Sequence, residues 1–297
     1  MNLIRTKSIL AALVAAVLMG CLGFLVRKTG TDAAVVAFFR FSIGFVLMSC
    51  VVLYYWRKKQ EKVGFSPSSF FSGISIGLCI LFYFFALQNT SIGLAAFVMY
   101  LGPVFAIIGE AVMRRRLPGV REWLIIVLAF SGFVMISSLG DAEGLNKGTL
   151  YALLSGIFYG GYILINRFIP GQITLPVRVF WQFLAAVVAI GLVLLCTGCS
   201  FAGVATGWPY VLTIGVVQGF AVLLLTGYAI KHLSAIEFGA LSYAEPLVAL
   251  LLGIVLYDES MTTIQIVGIM LIVAGMVVQC LPEKSEKKQN NRYEKKH

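Results

Sequence analysis

Charge is what this sequence lacks. Only 12% of its residues are Asp, Glu, Lys or Arg, while 60% are hydrophobic; a water-soluble domain carries roughly a quarter charged. That shortage excludes an ordinary soluble domain and makes lipid the solvent. Long polar segments are missing as well. The gaps between apolar runs are too short for a soluble domain, and the one extended polar piece is the tail from Glu283 to His297. Histidine occurs only as His232 and His297, and there is no His-Glu-x-x-His zinc motif. No Gly-x-x-x-x-Gly-Lys-Ser/Thr phosphate loop is present, so the chain itself is not expected to hydrolyse nucleotide. The cysteines, at 21, 50, 79, 196, 199 and 280, all fall in apolar runs or at their ends. Cys196-Thr-Gly-Cys199 has redox-motif spacing without the strand-helix setting of a redox site, so small packing residues are expected there. Neither a metal nor a cofactor is implied.

What the chain has is ten apolar stretches, near 8–26, 33–55, 69–87, 91–113, 121–139, 149–168, 177–198, 209–230, 235–256 and 263–281. A helix needs about 20 apolar residues to cross the hydrocarbon. The expected fold is therefore all-α: a polytopic membrane protein of ten transmembrane helices. The net charge of +10 would suit nucleic acid, but the positions of the charges argue otherwise. With the N-terminus inside, the outer gaps hold only Arg27, Lys28 and Lys147. Arg40 lies within a span, and every other basic residue is on the inner side, including Arg57, Lys62, Arg114 to Arg116, Arg121, Arg167, Arg178, Lys231 and the tail. This is the positive-inside pattern. Asp32, Asp141, Glu143, Asp258 and Glu259 fall outside, and Tyr54-Tyr55-Trp56, Trp123 and Trp208-Pro209-Tyr210 mark interfaces. Both termini are thus expected in the cytoplasm. The first apolar run is too long for a signal-peptide core and lacks a small-x-small cleavage site before Arg27, so it reads as a retained helix.

The sequence also matches itself. A shift of 143 lays Ala86-Leu87 on Ala229-Ile230, Ser91 on Ser234, Tyr100 on Tyr243, Pro103 on Pro246 and Gly132 on Gly275. Shifts of 142 and 140 lay Phe41 on Phe183, Gly73/Gly77 on Gly215/Gly219, Gly20 on Gly160 and Arg27 on Arg167. The expected organisation is a first five-helix repeat over 1–142, a second over 143–282 and a basic cytoplasmic tail over 283–297. Five crossings are odd, so the second repeat enters the membrane inverted, as in many secondary transporters. The corner after the fourth span, Arg114-Arg115-Arg116, becomes Asp258-Glu259 after the ninth, swapping charge as it swaps sides.

Ala86-Leu87-Gln88-Asn89-Thr90-Ser91 leading to Tyr100-Leu101-Gly102-Pro103 resembles the EamA-like transporters of the drug/metabolite transporter superfamily, as does Ala244-Glu245-Pro246-Leu247 with Asp258-Glu259 and Gly268 to Gly275. The resemblance implies ten helices, a cavity walled by the first four helices of each repeat, peripheral fifth and tenth helices, and export or exchange of amino acids or similar metabolites. One departure stands out: Arg115 and Arg116 occupy the corner where the family often has an acid.

Charges within spans are costly, about 2.5–3.5 kcal/mol each on insertion scales, and so mark cavities or partners. Glu245, mid-span and directly before Pro246, is a site for a substrate amine or a proton; the alternative is a neutral acid bonded to a neighbour. Arg40 suits a substrate carboxylate; the alternatives are a helix carbonyl or snorkelling outward. Its repeat equivalent is Gln182. Glu110 precedes Arg114 by four residues and reads as a local pair, and Glu237 reads as a first-turn helix-dipole residue. Tyr100 and Tyr243 each precede a helix-breaking proline, Pro103 and Pro246, by three. With Trp181, Gln182, Gln218 and Tyr83 they complete the candidate substrate site. The Gly73/Gly77 and Gly215/Gly219 pairs read as close helix approaches.

The leading function is a secondary transporter working by alternating access in the cytoplasmic membrane. Its partners would be a small-molecule substrate and the lipid bilayer, not nucleic acid, with the chain a monomer or homodimer. Two other readings remain. Gly73-Ile-Ser75-Ile-Gly77 matches a nucleophile-elbow pattern and would make an intramembrane enzyme, although it lies in a helix. The third reading is a channel.

Overall fold

The computed structural model describes residues 3–59, 64–137, 146–170, 172–233 and 235–280. Asp141, Glu143, Lys62, Ser234 and the tail from Glu283 lie outside the described residues. Among the described residues there are helices and no strands. Seven helices are long and apolar enough to cross a bilayer: α1 (Ile4–Lys28), α2 (Ala33–Lys58), α3 (Pro67–Asn89), α4 (Ile92–Met113), α6 (Lys147–Asn166), α7 (Leu175–Thr197) and α8 (Val204–Ile230). Three more complete the ten apolar helices: α5 (Val120–Ser137), α9 in two pieces (Ala235–Ser242 and Ala244–Tyr257) and α10 (Thr263–Cys280). This is a multi-pass membrane protein.

Local chemistry sets the helix ends. Ser66 caps α3 by accepting from the Ser69 amide, with Pro67 at the first helical position, where its missing N–H costs nothing. Ser91 and Asn146 cap α4 and α6 through the amides of Leu94 and Thr149. α7 stops at Gly198, whose φ of 60° suits glycine.

The two prolines act as starters of second half-helices. α4 turns at Tyr100-Leu101 and resumes at Gly102-Pro103; α9 turns at Tyr243 and resumes at Ala244. A proline early in each new segment avoids the clash it would make inside a continuous helix. α8 contains a different irregularity, a wide π-helical stretch over Ile214–Ala221.

Packing follows a regular scheme. α3 lies on α6 and α7, while α8 lies on α1 and α2; α4 lies on α6, while α9 lies on α1. The pairs α2–α7, α4–α9 and α5–α10 complete the principal contacts. Apart from a contact between α2 and α3 that α7 and α8 do not match, exchanging every helix for the one five places along leaves this set unchanged. Glycines make the approaches possible. A Cβ on Gly160 would stand 2.7 Å from the Gly102 carbonyl, and one on Gly20 would stand 2.8 Å from that of Glu245. Gly73 meets the Gln182 backbone and Gly215 meets Ile43, in keeping with their expected packing role.

Candidate functional site

The first four helices of each half surround a central cavity of about 260 Å³, and α5 and α10 pack on each other away from it. Ligand pockets for drug-sized molecules span roughly 300–1,000 Å³, so this one suits a small metabolite. Its lining runs from mid-helix towards the face where α1 begins, where Ala12, Tyr162, Thr226 and Phe238 contribute. Phe41, Ile76, Met99 and Phe183 give it apolar walls.

Among the sequence candidates, the structure brings Arg40, Tyr100, Gln182, Gln218 and Glu245 to this cavity. Tyr100 donates its hydroxyl to Glu245 Oε2 at 2.8 Å, and the Tyr100 hydroxyl oxygen also lies 3.3 Å from the Ser242 carbonyl. That carbonyl is the one left without a helical donor, because residue 246 is proline. Arg40 is 7% exposed, enclosed among the helices. One terminal nitrogen makes long contacts to the Gln218 carbonyl at 3.5 Å and to Met19 Sδ at 3.9 Å. Its other terminal nitrogen, Nη1, is buried without a partner, as is Gln218 Oε1. The Gln218 amide nitrogen donates to the Leu18 carbonyl at 3.3 Å. Arg40 and Glu245 interact electrostatically across the cavity, but no ion pair within 4.0 Å joins them. The bottom of the site is therefore bipolar and only partly satisfied.

Gln182 is more fully engaged. Its amide donates to Ser72 Oγ at 2.7 Å and Asn166 Oδ1 at 3.1 Å. It is Arg40's repeat equivalent, so the two halves differ in charge at this level. They differ at Glu245 too: the shift that pairs Pro103 with Pro246 pairs Gly102 with Glu245. Any side chain at Gly102 would collide with the Tyr159 ring. The site thus holds one acid and one base, each from a different half.

Three candidates lie elsewhere. Trp181 donates its indole N–H to the Gly64 carbonyl at 2.9 Å and packs against Phe65, because its side of α7 faces the segment before α3. Tyr83 is buried without lining the cavity. Tyr243 turns its hydroxyl to the Met276 carbonyl on α10, while its ring packs against Tyr100. Sequence reasoning missed Tyr159, Tyr162, Thr226 and Ser242, which line the cavity. The repeat offered a clue to Ser242, since Pro246 frees its carbonyl.

Several of the remaining charges tie helix ends together. Opposite the face where α1 begins, Arg27 donates to the Leu87 carbonyl at 2.9 Å, the Thr90 carbonyl at 2.6 Å and Glu259 at 2.8 Å. Glu259 also accepts the Ile92 amide. One half-buried pair thus joins the ends of α1, α3, α4 and α9. At the other face Glu110 pairs with Arg114, as expected, and also with Arg167, the repeat equivalent of Arg27. Glu237 does lie in a first turn, and it pairs with Arg5 as well. Arg116, in the corner where an acid was expected, pairs with Glu122. Ser75 sits within α3 with its hydroxyl donated to the Phe158 carbonyl at 2.7 Å. Cys196 and Cys199 are free thiols.

The model of the EamA-like transporter family matches residues 6–138 and again 146–279. An uncharacterized transporter of Archaeoglobus fulgidus is 26% identical over 270 residues, covering 90% of this chain and 94% of that protein. The threonine/homoserine exporter RhtA of Escherichia coli K12 is 27% identical over 244 residues, covering 78% of this chain and 77% of its own. A crystal structure at 20% identity superposes with a TM-score of 0.61 over 91% of this chain and 96% of that one, a likeness of fold. With two tandem matches that span almost the whole sequence, the chain belongs to the EamA-like transporter family.

Proposed function

We propose that the protein is a secondary transporter that exports or exchanges amino acids or closely related metabolites across the cytoplasmic membrane by alternating access. The observation that carries this reading is the set of unsatisfied polar groups around one small cavity. Arg40 Nη1 is a free donor for a carboxylate, and Gln218 Oε1 and Glu245 are acceptors for an ammonium. Buried polar groups without partners are costly, so a ligand that supplies both charges gains affinity by satisfying them. A free α-amino acid carries both charges on adjacent atoms, and Phe41, Ile76, Met99 and Phe183 would contact its side chain. The E. coli relative named as a threonine/homoserine exporter is in keeping with this class.

In this reading the two halves are inverted repeats, and the distribution of basic residues puts both termini in the cytoplasm. The conformation is then inward-facing. Its cavity extends towards the cytoplasmic ends of the helices, and the Arg27–Glu259 latch with its backbone partners closes the outer end. Substrate enters from the cytoplasm, the latch opens as the inner ends close, and a gradient supplies the energy. Glu245 carries any proton step. Trp181 and Tyr83 act in packing. The working unit is a monomer or homodimer in the bilayer.

The test is transport into proteoliposomes of labelled threonine, homoserine and a panel of other amino acids, at several pH values, with wild type and Glu245→Gln. The proposal expects saturable transport whose pH dependence disappears in the variant. An unchanged rate and unchanged pH dependence would remove Glu245 from the mechanism.

A further inference from the structure

Resting on Glu245 as the group that trades a proton or a substrate amine, we infer that Tyr100 and the Ser242 carbonyl form a two-position hydrogen-bond switch that serves it. Three observations meet here. The Tyr100 hydroxyl lies within reach of two acceptors, Glu245 Oε2 at 2.8 Å and Ser242 O at 3.3 Å, and it has one proton to give. The second acceptor is available because Pro246 has no N–H for it. Tyr100 is itself buried, 6% exposed, so its hydroxyl needs a partner in every state.

The two positions match the two states of the acid. With Glu245 ionised, Tyr100 donates to the carboxylate, leaving it further acceptor capacity for a substrate ammonium. When Glu245 takes up a proton, its new O–H donates to the Tyr100 oxygen, and the Tyr100 proton swings to Ser242 O. The chain then runs from Glu245 through Tyr100 to Ser242. Tyr100 keeps its proton throughout; the only proton gained or lost is that of Glu245. Neither state leaves the Tyr100 hydroxyl or the Glu245 O–H unmatched, so the proton can be exchanged at membrane depth without a large desolvation penalty.

The neighbourhood leaves this task to Tyr100. The other ionisable side chains near Glu245 are Arg40 on α2, Cys79 and Tyr83 on α3 and Tyr159 on α6, which interact with it through space. α1 presents Gly20 there, followed by Cys21, and α10 has no acid, base or tyrosine in its sequence. Tyr243, the repeat equivalent of Tyr100, is turned to Met276 on α10. The switch therefore spans both halves, Tyr100 from the first and Glu245 with Ser242 from the second, and Tyr243 does not repeat it. Tyr100 is a positioning residue, acting through Glu245.

The experiment is an infrared titration of the full chain in lipid nanodiscs, without substrate. The carboxyl band of Glu245 is identified by its loss in Glu245→Gln. Tyr100→Phe removes the relay, and Pro246→Ala supplies an N–H that occupies Ser242 O. The inference expects the band to move in both variants, and the pH-driven part of transport to fall by roughly tenfold or more, in line with losing a hydrogen bond to a charged group. In the Glu245→Gln background, adding Tyr100→Phe should cause no further loss. A Glu245 band unmoved by Tyr100→Phe and Pro246→Ala would overturn the switch even if transport is impaired. Because the band needs no substrate, the inference is tested even where no amino acid is carried.

Discussion

Replacing Arg27 with Gln should unlatch the end of the protein that the proposed orientation turns outward. Arg27 gives three hydrogen bonds, at 2.6–2.9 Å, to Leu87, Thr90 and Glu259. Its side chain is 22% exposed and that of Glu259 11%, so water screens the pair only in part. Removing one partner of a fully buried pair costs about 3–5 kcal/mol, and a hydrogen bond to a charged group about 1.5–3 kcal/mol. For this partly exposed latch about 2–3 kcal/mol is appropriate, if all three bonds break on opening. That corresponds to a rise of roughly 30–150-fold in the outer-open population. The assay is labelling of a cysteine at Leu87, which is 0% exposed in this conformation, by a membrane-impermeant maleimide, in a chain whose native cysteines have been replaced. Labelling should accelerate in both Arg27→Gln and Glu259→Gln. The double variant should gain little beyond the larger single effect, because the two side chains act as one unit. Equal labelling rates in wild type and both variants would refute the latch.

Gly73→Val would drive a side chain into the backbone of Gln182, where nothing flexible can yield, and overpacking typically costs about 1–3 kcal/mol; the melting temperature in detergent should drop, whereas Gly64→Val, which meets open space, should leave it unchanged. Arg121 ties α5 to the Val278 and Gln279 carbonyls at the end of α10. Arg121→Gln should therefore lower thermal stability while retaining transport, since α5 and α10 do not line the cavity. Trp181→Phe removes the bond to Gly64 outside the cavity, so substrate affinity should stay within about twofold in a binding titration, with stability reduced by about 1 kcal/mol.

The sequence made the architecture readable because lipid imposes a coarse rule. Apolar runs of crossing length and paired prolines survive without any knowledge of contacts. The span read as 8–26 is the helix Ile4–Lys28, and the break in α9 falls at Tyr243, three residues ahead of Pro246. The site was only partly legible. Glu245 and Arg40 announce themselves as charges at membrane depth, but Tyr83 and Trp181 are no different in kind from Tyr159 and Tyr162. Which aromatic faces the cavity depends on helix rotation, and these helices are apolar on every side. The π-helical stretch of α8 around Gln218 carries no proline to signal it. Arg27 read as an outer charge; its role as a four-helix tie depends on carbonyls at Leu87 and Thr90 that no side-chain pattern encodes.

The most direct measurement is counterflow. Proteoliposomes loaded with unlabelled amino acid are diluted into trace amounts of the same labelled compound, across a panel that begins with threonine and homoserine. An alternating-access carrier should accumulate the label transiently above equilibrium, and replacing Arg40 by Gln should abolish that overshoot while the protein remains folded by size-exclusion chromatography. Label entering no faster with internal substrate than without, for every amino acid tried, would contradict the account.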